Sequence, residues 1–142
     1  MKSIEDYIEE GRVEEIRKDL GKAKGLLHRS RRRLNEVKDR NISEDNAFLI
    51  FENIYESMRE CIESLMTLKG FESEDHVATI DWAAEELNLE RNKINKLHKY
   101  RKLRNASRYE AAEITKSDAE ETLEFGESFI KEIGEKIESG LR

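Results

Sequence analysis

Residues 44–69 constrain the fold more than any other part of the sequence, because their apolar side chains recur with the period of an α-helix. The repeat joins Ala47, Ile50, Phe51, Ile54, Met58, Cys61, Ile62 and Leu65. Phe48 and Tyr55 widen this stripe, and a helix that is apolar over so wide an arc lies at the centre of a bundle or in a dimer interface. Gly70 is a natural end for the helix, because glycine readily adopts the left-handed conformation that closes many helices.

The chain has 142 residues, a length that fits one domain, and it contains no proline. Proline presets turn geometry, so its absence favours a few long helices joined by short loops. Val, Ile and Thr never alternate in a period-two run, so no strand is predicted. Charged residues make up 41% of the chain, but apolar residues still recur at helical spacing. The charge therefore indicates solvated helix faces and not disorder.

Further helices are predicted on either side of the central one. They are a short helix from its cap Ser3 through Ile16, and helices over residues 18–39, 73–87, 90–109 and 117–139. Asn88 separates two of them, and Ser117 with Glu120 has the spacing of a capping box for the last. The predicted fold class is all-α: a single domain over residues 1–142, folded as an up-and-down helical bundle of four to five main helices with short loops.

Compartment is inferred from the cysteine and from the apolar runs. Cys61 is the only cysteine, so no internal disulfide forms, and it is expected to be a small buried hydrophobe; a catalytic thiol is the alternative. The N-terminus is acidic and lacks the apolar region of a signal peptide. No apolar run approaches the roughly 20 residues that span a bilayer. The cytoplasm, without membrane association, is the expectation.

Charge is distributed unevenly along the chain. Residues 91–109 contain eight Lys or Arg residues and no acid, although the whole chain has a net charge of −6. Residues 110–142 have ten acids against four basic residues, and residues 1–16 have six acids against two. A second basic cluster lies at residues 28–33. The order of the segments favours neutralisation of the basic helix by acid-rich helices. An anion- or RNA-binding site is the functional alternative.

Three segments, in a fixed order, carry a resemblance to a known family. Residues 55–70, YESMRECIESLMTLKG, form an aromatic-led helix that ends in Lys-Gly. Residues 75–80, DHVATI, open the next helix with a histidine, and residues 103–110, LRNASRYE, precede a loop and a long acidic helix. Together, residues 47–137 resemble the HEPN superfamily of nucleotide-binding helical domains, and its small stand-alone prokaryotic members in particular. Residues 1–17, a short N-terminal helix, lie outside the resemblance.

The resemblance implies a function connected with RNA. Catalytic HEPN members are metal-independent ribonucleases whose signature is an arginine, often followed by a polar residue, with a histidine roughly four to six residues further on. Imidazole accepts and donates protons near neutral pH, and guanidinium holds phosphate by forked hydrogen bonds. Two such pairs meet across a homodimer interface, with no metal or cofactor. Family members often pair with a minimal nucleotidyltransferase in a toxin–antitoxin module.

Arg104 and Asn105 match the start of this signature, but Tyr109 stands where the histidine is expected. A phenol ionises only near about pH 10 and is a poor base at neutral pH. The resemblance thus implies an RNA- or nucleotide-associated homodimer with weak or absent cleavage, and leaves open whether the protein is an enzyme. Arg104 would bind phosphate, Asn105 would orient the site and Tyr109 would replace the base. The neighbouring cations that would steer the anion are Lys99, Arg101, Lys102 and Arg108.

Two alternatives stand beside this interpretation. Arg91 and His98, two helical turns apart on one face, form another arginine–histidine pair and would give an active metal-independent ribonuclease. A purely structural helical dimer, or adaptor, would instead use the apolar stripe of residues 47–65 to bind a partner helix. His76 is expected to line the start of its helix, and His28 to lie at the surface. With three scattered histidines, no metal site is expected.

Aromatic residues near the basic helix offer a further expectation. Trp82, Tyr100 and Tyr109 could stack on RNA bases, as aromatic side chains do in many RNA-binding sites. The spacing of Trp82 among aliphatic residues favours a place in the core instead.

Overall fold

The computed structural model describes residues 1–142 and confirms the all-α fold. Its helices are α1 (Ile4–Glu9), α2 (Leu20–Val37), α3 (Ala47–Lys69), α4 (His76–Glu86), α5 (Arg91–Glu110) and α6 (Lys116–Leu141). Two short strands, β1 (Glu14–Glu15) and β2 (Phe71–Glu72), pair in antiparallel fashion. The prediction that the chain has no strand was wrong, because strands of two residues are too short to leave a period-two pattern.

The helix α3 lies at the centre of the bundle, as its wide apolar stripe predicts. It packs against α2 and α6, and it also contacts α4, α5 and β2. Phe51, Ile54 and Cys61 on this helix have no exposed surface. Burial raises the pKa of the Cys61 thiol to about 12, so Cys61 is the predicted buried hydrophobe and not a thiolate nucleophile. None of the helices combines the length and the apolar character needed to cross a bilayer.

Local signals set several helix ends where the sequence predicts them. Ser3 and Asp6 form a capping box at the start of α1. Gly70 ends α3 in the left-handed conformation, with φ of 93°. Asn88 has φ of 50° and separates α4 from α5. The side chain of Asp75 accepts a hydrogen bond from the backbone of Ala78 and caps α4.

Several predicted helix boundaries were wrong. The helix α3 begins at Ala47 and not at residue 44, and α4 begins at His76 and not at residue 73. The first helix ends at Glu9 and not at Ile16, because the chain turns at Gly11, whose φ is 73°, and continues into β1. The last helix begins at Lys116, one residue earlier than predicted, because Thr115 and not Ser117 is its cap. The Thr115 side chain accepts from the backbone of Asp118 in a capping box that competes with the predicted one.

The N-terminal segment packs onto the bundle although the resemblance does not extend to it. Tyr7 and Val13 are buried in the main core. The backbone N–H of Ile16 donates to the carbonyl of Gly70 at 2.8 Å, beside the β1–β2 pair. The guanidinium of Arg12 donates to the Asp75 carboxylate at 2.6 Å. These contacts fix the turn between α3 and α4, which leads directly to the start of α4.

Candidate functional site

Arg104 lies on the inner side of α5 and points toward α3. It follows the buried Tyr100 by four residues, so both side chains lie on one face of the helix. Only 14% of its side chain is exposed. The guanidinium lies over the ring of Tyr55, with its carbon 5.6 Å from the ring centroid. One of its nitrogens is 3.9 Å from an Oε of Glu56, too far for a hydrogen bond, and it makes no hydrogen bond within the chain.

His76 lies beside the same tyrosine and brings a third helix to the site. The Tyr55 hydroxyl and Nδ1 of His76 are 3.0 Å apart, within hydrogen-bond distance. The ring centroids are 6.0 Å apart and the ring planes are inclined by only 24°. His76 is the first residue of α4, which Asp75 caps. We call Arg104, Tyr55 and His76 the Arg104 cluster; it joins α3, α4 and α5.

Burial and neighbouring charge set the protonation of the Arg104 cluster. Burial raises the pKa of Tyr55 to about 12, so the phenol stays protonated at neutral pH. Burial, together with the positive charges of Arg59 and Arg104, lowers the pKa of His76, so its imidazole is neutral there. Arg59 is itself committed to two carboxylates, with hydrogen bonds to Glu56 at 3.2 Å and Glu63 at 2.5 Å. Arg104 is therefore the guanidinium of this group whose donors remain unused.

The other two residues of the predicted motif lie apart from this cluster. Tyr109 is in the last turn of α5, is 79% exposed, and forms no hydrogen bond with Arg104. Asn105 is partly buried and its side chain makes no hydrogen bond within the chain. The structure thus brings Arg104 together with Tyr55 and His76, two residues that the sequence assigned to the apolar stripe and to a helix start.

Two of the eight Lys and Arg residues of α5 pair closely with carboxylates of the same chain. Lys93 and Lys99 pair with Glu132 and Glu121 of α6, at 3.0 Å and 2.9 Å. The acidic helix α6 therefore neutralises part of the basic helix, and most of the predicted neutralisation is not seen. Three exposed cations, Arg91, Lys102 and Arg108, have no carboxylate within 4.0 Å. They leave positive charge on the same helix as Arg104.

His98 is engaged in a buried polar network and is not paired with Arg91. Its Nε2 lies 2.9 Å from one oxygen of Asp81, and its Nδ1 accepts a hydrogen bond from Arg101 at 3.2 Å. The hydroxyl of Tyr7 donates to the other oxygen of Asp81 at 2.5 Å. Both ring nitrogens of His98 are thereby occupied, and Arg91 is exposed at the first turn of α5. A ribonuclease that uses Arg91 and His98 stays a prediction; cleavage that survives Arg104→Ala and vanishes in His98→Ala would establish it.

Two of the aromatic side chains considered for base stacking are core residues. Trp82 and Tyr100 are fully buried, which confirms the core position of Trp82 and corrects the stacking interpretation for both. The basic cluster at residues 28–33 is likewise mostly occupied. Arg29 and Arg33 pair with Glu60, and Arg31 pairs with Glu138, while His28 is exposed as expected. No group of three or more His, Cys, Asp or Glu side chains is arranged to hold a metal ion.

The fold and the Arg104 cluster define a helical bundle with a half-buried, cationic polar site among three helices. A family model for the HEPN domain matches residues 23–137, most of the chain. The protein therefore belongs to the HEPN domain family, whose members are RNA-associated, often dimeric and often ribonucleases. A search of curated proteins gives no significant match.

Proposed function

We propose that the protein is a homodimer that binds RNA through Arg104 and cleaves it weakly or not at all. The observation that carries this proposal is the state of the Arg104 guanidinium. It is held in a defined position over Tyr55, yet none of its donors is used in a hydrogen bond within the chain. A pre-positioned guanidinium with free donors suits a phosphate oxygen, because charge-assisted, forked hydrogen bonds are among the strongest in proteins. Lys102 and Arg108 on the same helix support attraction of the strand.

Weak or absent cleavage follows from the residue at the motif's histidine position. Tyr109 lies in solvent, away from Arg104, and a phenol does not serve as a base at neutral pH. Asn105 and Tyr109 remain proposed site residues. Their contacts with RNA or with the site would have to come from the second subunit of the dimer. Robust metal-independent cleavage that is lost in Arg104→Ala would contradict this part of the proposal.

The homodimer is supported by apolar side chains exposed near the site. Phe48 and Leu49, at the start of α3, are 45% and 52% exposed. Phe48 precedes Tyr55 by about two helical turns on the same face of α3, so an interface there would adjoin the Arg104 cluster. Light scattering after size exclusion should give twice the chain mass, and Leu49→Glu should return the monomer. A pairing with a minimal nucleotidyltransferase rests on the family resemblance alone and is tested by co-purification of the two proteins.

The proposal predicts that Arg104→Ala weakens RNA binding selectively. We expect a loss of about tenfold in affinity for a fluorescein-labelled single-stranded RNA, because a charge-assisted contact of about 1.5 kcal/mol is removed. The slope of log affinity against log salt should fall by about 0.7, the value for one phosphate contact on a single strand. Arg32→Ala is the matched control, because Arg32 is exposed on α2 and has no carboxylate within 4.0 Å.

A structural adaptor is the alternative that one observation favours. Glu56 lies 3.9 Å from Arg104. In the adaptor interpretation this ion pair anchors α5 against α3, and Arg104 has no other role. In that case Arg104→Ala would lower the free energy of unfolding, and no salt-dependent retention of RNA would be measured for the parent protein. Equal RNA affinity of the Arg104→Ala and Arg32→Ala variants would also contradict the RNA-binding proposal.

A further inference from the structure

We infer that His76 is a second phosphate ligand beside Arg104, donating from Nε2 to a phosphodiester oxygen in an orientation fixed by Tyr55. This inference rests on the proposed function and names the ligand class of that site, a phosphodiester of single-stranded RNA. It is based on the position of His76 and Tyr55 beside Arg104, because neither residue belongs to the arginine motif. One tyrosine ring of α3 contacts both the guanidinium of α5 and the imidazole of α4.

The hydrogen bond between Tyr55 and His76 selects the tautomer of the imidazole. The Tyr55 side chain is buried, and Nδ1 of His76 is the one hydrogen-bond partner of its hydroxyl. A buried hydroxyl that stays protonated needs an acceptor, so the phenol donates to Nδ1. The neutral ring then carries its own proton on Nε2, which makes that nitrogen a donor and not a base. This state agrees with weak or absent cleavage.

The donor on Nε2 is open to a ligand. It makes no hydrogen bond within the chain. The fully buried side-chain polar atoms that lack a partner are Nε1 of Trp82 and the hydroxyl of Tyr100. Nε2 of His76 is not among them, so it reaches solvent. An unused N–H and an unused guanidinium beside one ring together offer donors to the oxygens of a single phosphate.

The charges around His76 suit a singly charged ligand. The groups that act on the imidazole are Arg59 and Glu56 of α3, Arg104 of α5, and Asp75 immediately before it in the chain. Asp75 is paired with Arg12, and Arg59 is held by Glu56 and Glu63. Arg104 makes no hydrogen bond to a carboxylate, and its nearest one, Glu56, is 3.9 Å away. A phosphodiester, with one negative charge, matches this single loosely paired cation. A doubly charged phosphate monoester would face Glu56 with an excess of negative charge.

Phosphate binding should be coupled to proton uptake by His76 at Nδ1. In that state Nδ1 donates and the Tyr55 hydroxyl accepts, so the hydrogen bond between them reverses its direction. In the free protein, burial and the two guanidinium groups disfavour the imidazolium. A bound anion favours it, so the pKa of His76 rises on binding and affinity increases as pH falls. The gain develops below the ordinary histidine value of about 6.5, where the bound ring takes up a proton that the free ring does not. Above that range His76 still contributes as a neutral donor.

The test measures the affinity of a fluorescein-labelled single-stranded oligouridylate at constant ionic strength, at pH 5.5 and pH 8. We expect His76→Gln to bind about fivefold more weakly at pH 8, the effect of one lost hydrogen bond, and to lose most of the increase in affinity at acid pH. His28→Gln, at an exposed histidine of α2, is the matched control and should keep both. Tyr55→Phe should weaken binding, because without the Tyr55 hydroxyl the proton of His76 is no longer held on Nε2.

The outcomes separate this inference from the proposed function. If Arg104→Ala weakens binding while His76→Gln retains affinity and pH dependence, the inference is overturned and the proposed function stands. If the parent protein binds no RNA at either pH, both fail. Long-range ¹H–¹⁵N spectra of the parent protein keep the inference testable even where a variant does not fold: a proton on Nδ1 of His76 would overturn it, and a proton on Nε2 supports it.

Discussion

Glu60 is only 5% exposed, because it lies on the central helix of the bundle. Two arginines of α2 reach it, Arg33 at 2.8 Å and Arg29 at 3.7 Å. A buried charge costs several kcal/mol unless it is paired and hydrogen-bonded, so the basic cluster of α2 has a structural role here. The two arginines, in contrast, are partly exposed and keep access to water.

This asymmetry gives a prediction for the pair. Arg33→Met leaves the buried carboxylate with one distant partner, so we expect the free energy of unfolding to fall by about 2–3 kcal/mol. Glu60→Gln leaves partly hydrated arginines and should cost about 1 kcal/mol or less. Urea denaturation of both variants at pH 7 measures the difference. A larger cost for Glu60→Gln would show that the carboxylate is not the desolvated partner.

At the scale of helices, α6 approaches α3 closely because Gly126 has no side chain at the point of contact. A Cβ on Gly126 would lie 2.7 Å from Cγ2 of Ile54, well inside van der Waals contact. Ile54 has no exposed surface and belongs to the main core, so it has little room to yield. By comparison, a Cβ on Gly25 of α2 would meet nothing within 4 Å.

The two glycines should respond to alanine in opposite directions. Gly126→Ala forces α6 away from α3, and we expect it to lower the free energy of unfolding by about 1–3 kcal/mol. Gly25→Ala should raise it by about 0.5–1 kcal/mol, because alanine loses less backbone entropy in a helix. Thermal and urea unfolding test both variants. A stabilising effect of Gly126→Ala would mean that the helices do not pack at this distance.

Elements were predictable from the sequence where a local signal decides them. The period of α3, the left-handed end at Gly70 and the break at Asn88 each depend on a few neighbouring residues, and all were confirmed. The β1–β2 pair joins segments far apart in the chain, which no local pattern encodes. The candidate site divides in the same way. The family resemblance identified Arg104 as a candidate. The position of His76 beside it was missed, because the periodicity of each helix does not show which helix faces meet.

At the scale of the whole molecule, the first 18 residues complete the bundle. Tyr7 is buried and its hydroxyl belongs to the network of Asp81 and His98, which joins α1, α4 and α5. Val13 is buried in the same core. The matched HEPN region begins only at residue 23. The N-terminal segment therefore adds an attachment that holds α5, the helix of Arg104, to α4.

Removal of this segment should cost stability even though the family region remains complete. Deleting residues 1–18 exposes the surfaces that Tyr7 and Val13 cover, and we expect a loss of at least about 3 kcal/mol in the free energy of unfolding. Tyr7→Phe keeps the packing and removes only the hydrogen bond to a carboxylate, so it should lose about 1.5–3 kcal/mol. An unchanged urea midpoint for the deletion would show that residues 1–18 do not belong to the folded unit.

Trp82 is the only tryptophan and lies on α4, the helix that begins with His76. Its ring is fully buried against Phe71, and the indole N–H has no partner. The molecule thus carries one intrinsic fluorophore in a dry environment, where indole emission is shifted to the blue. Any displacement of α4 that accompanies occupation of the neighbouring site becomes visible as a change in emission, without attaching a dye to the protein.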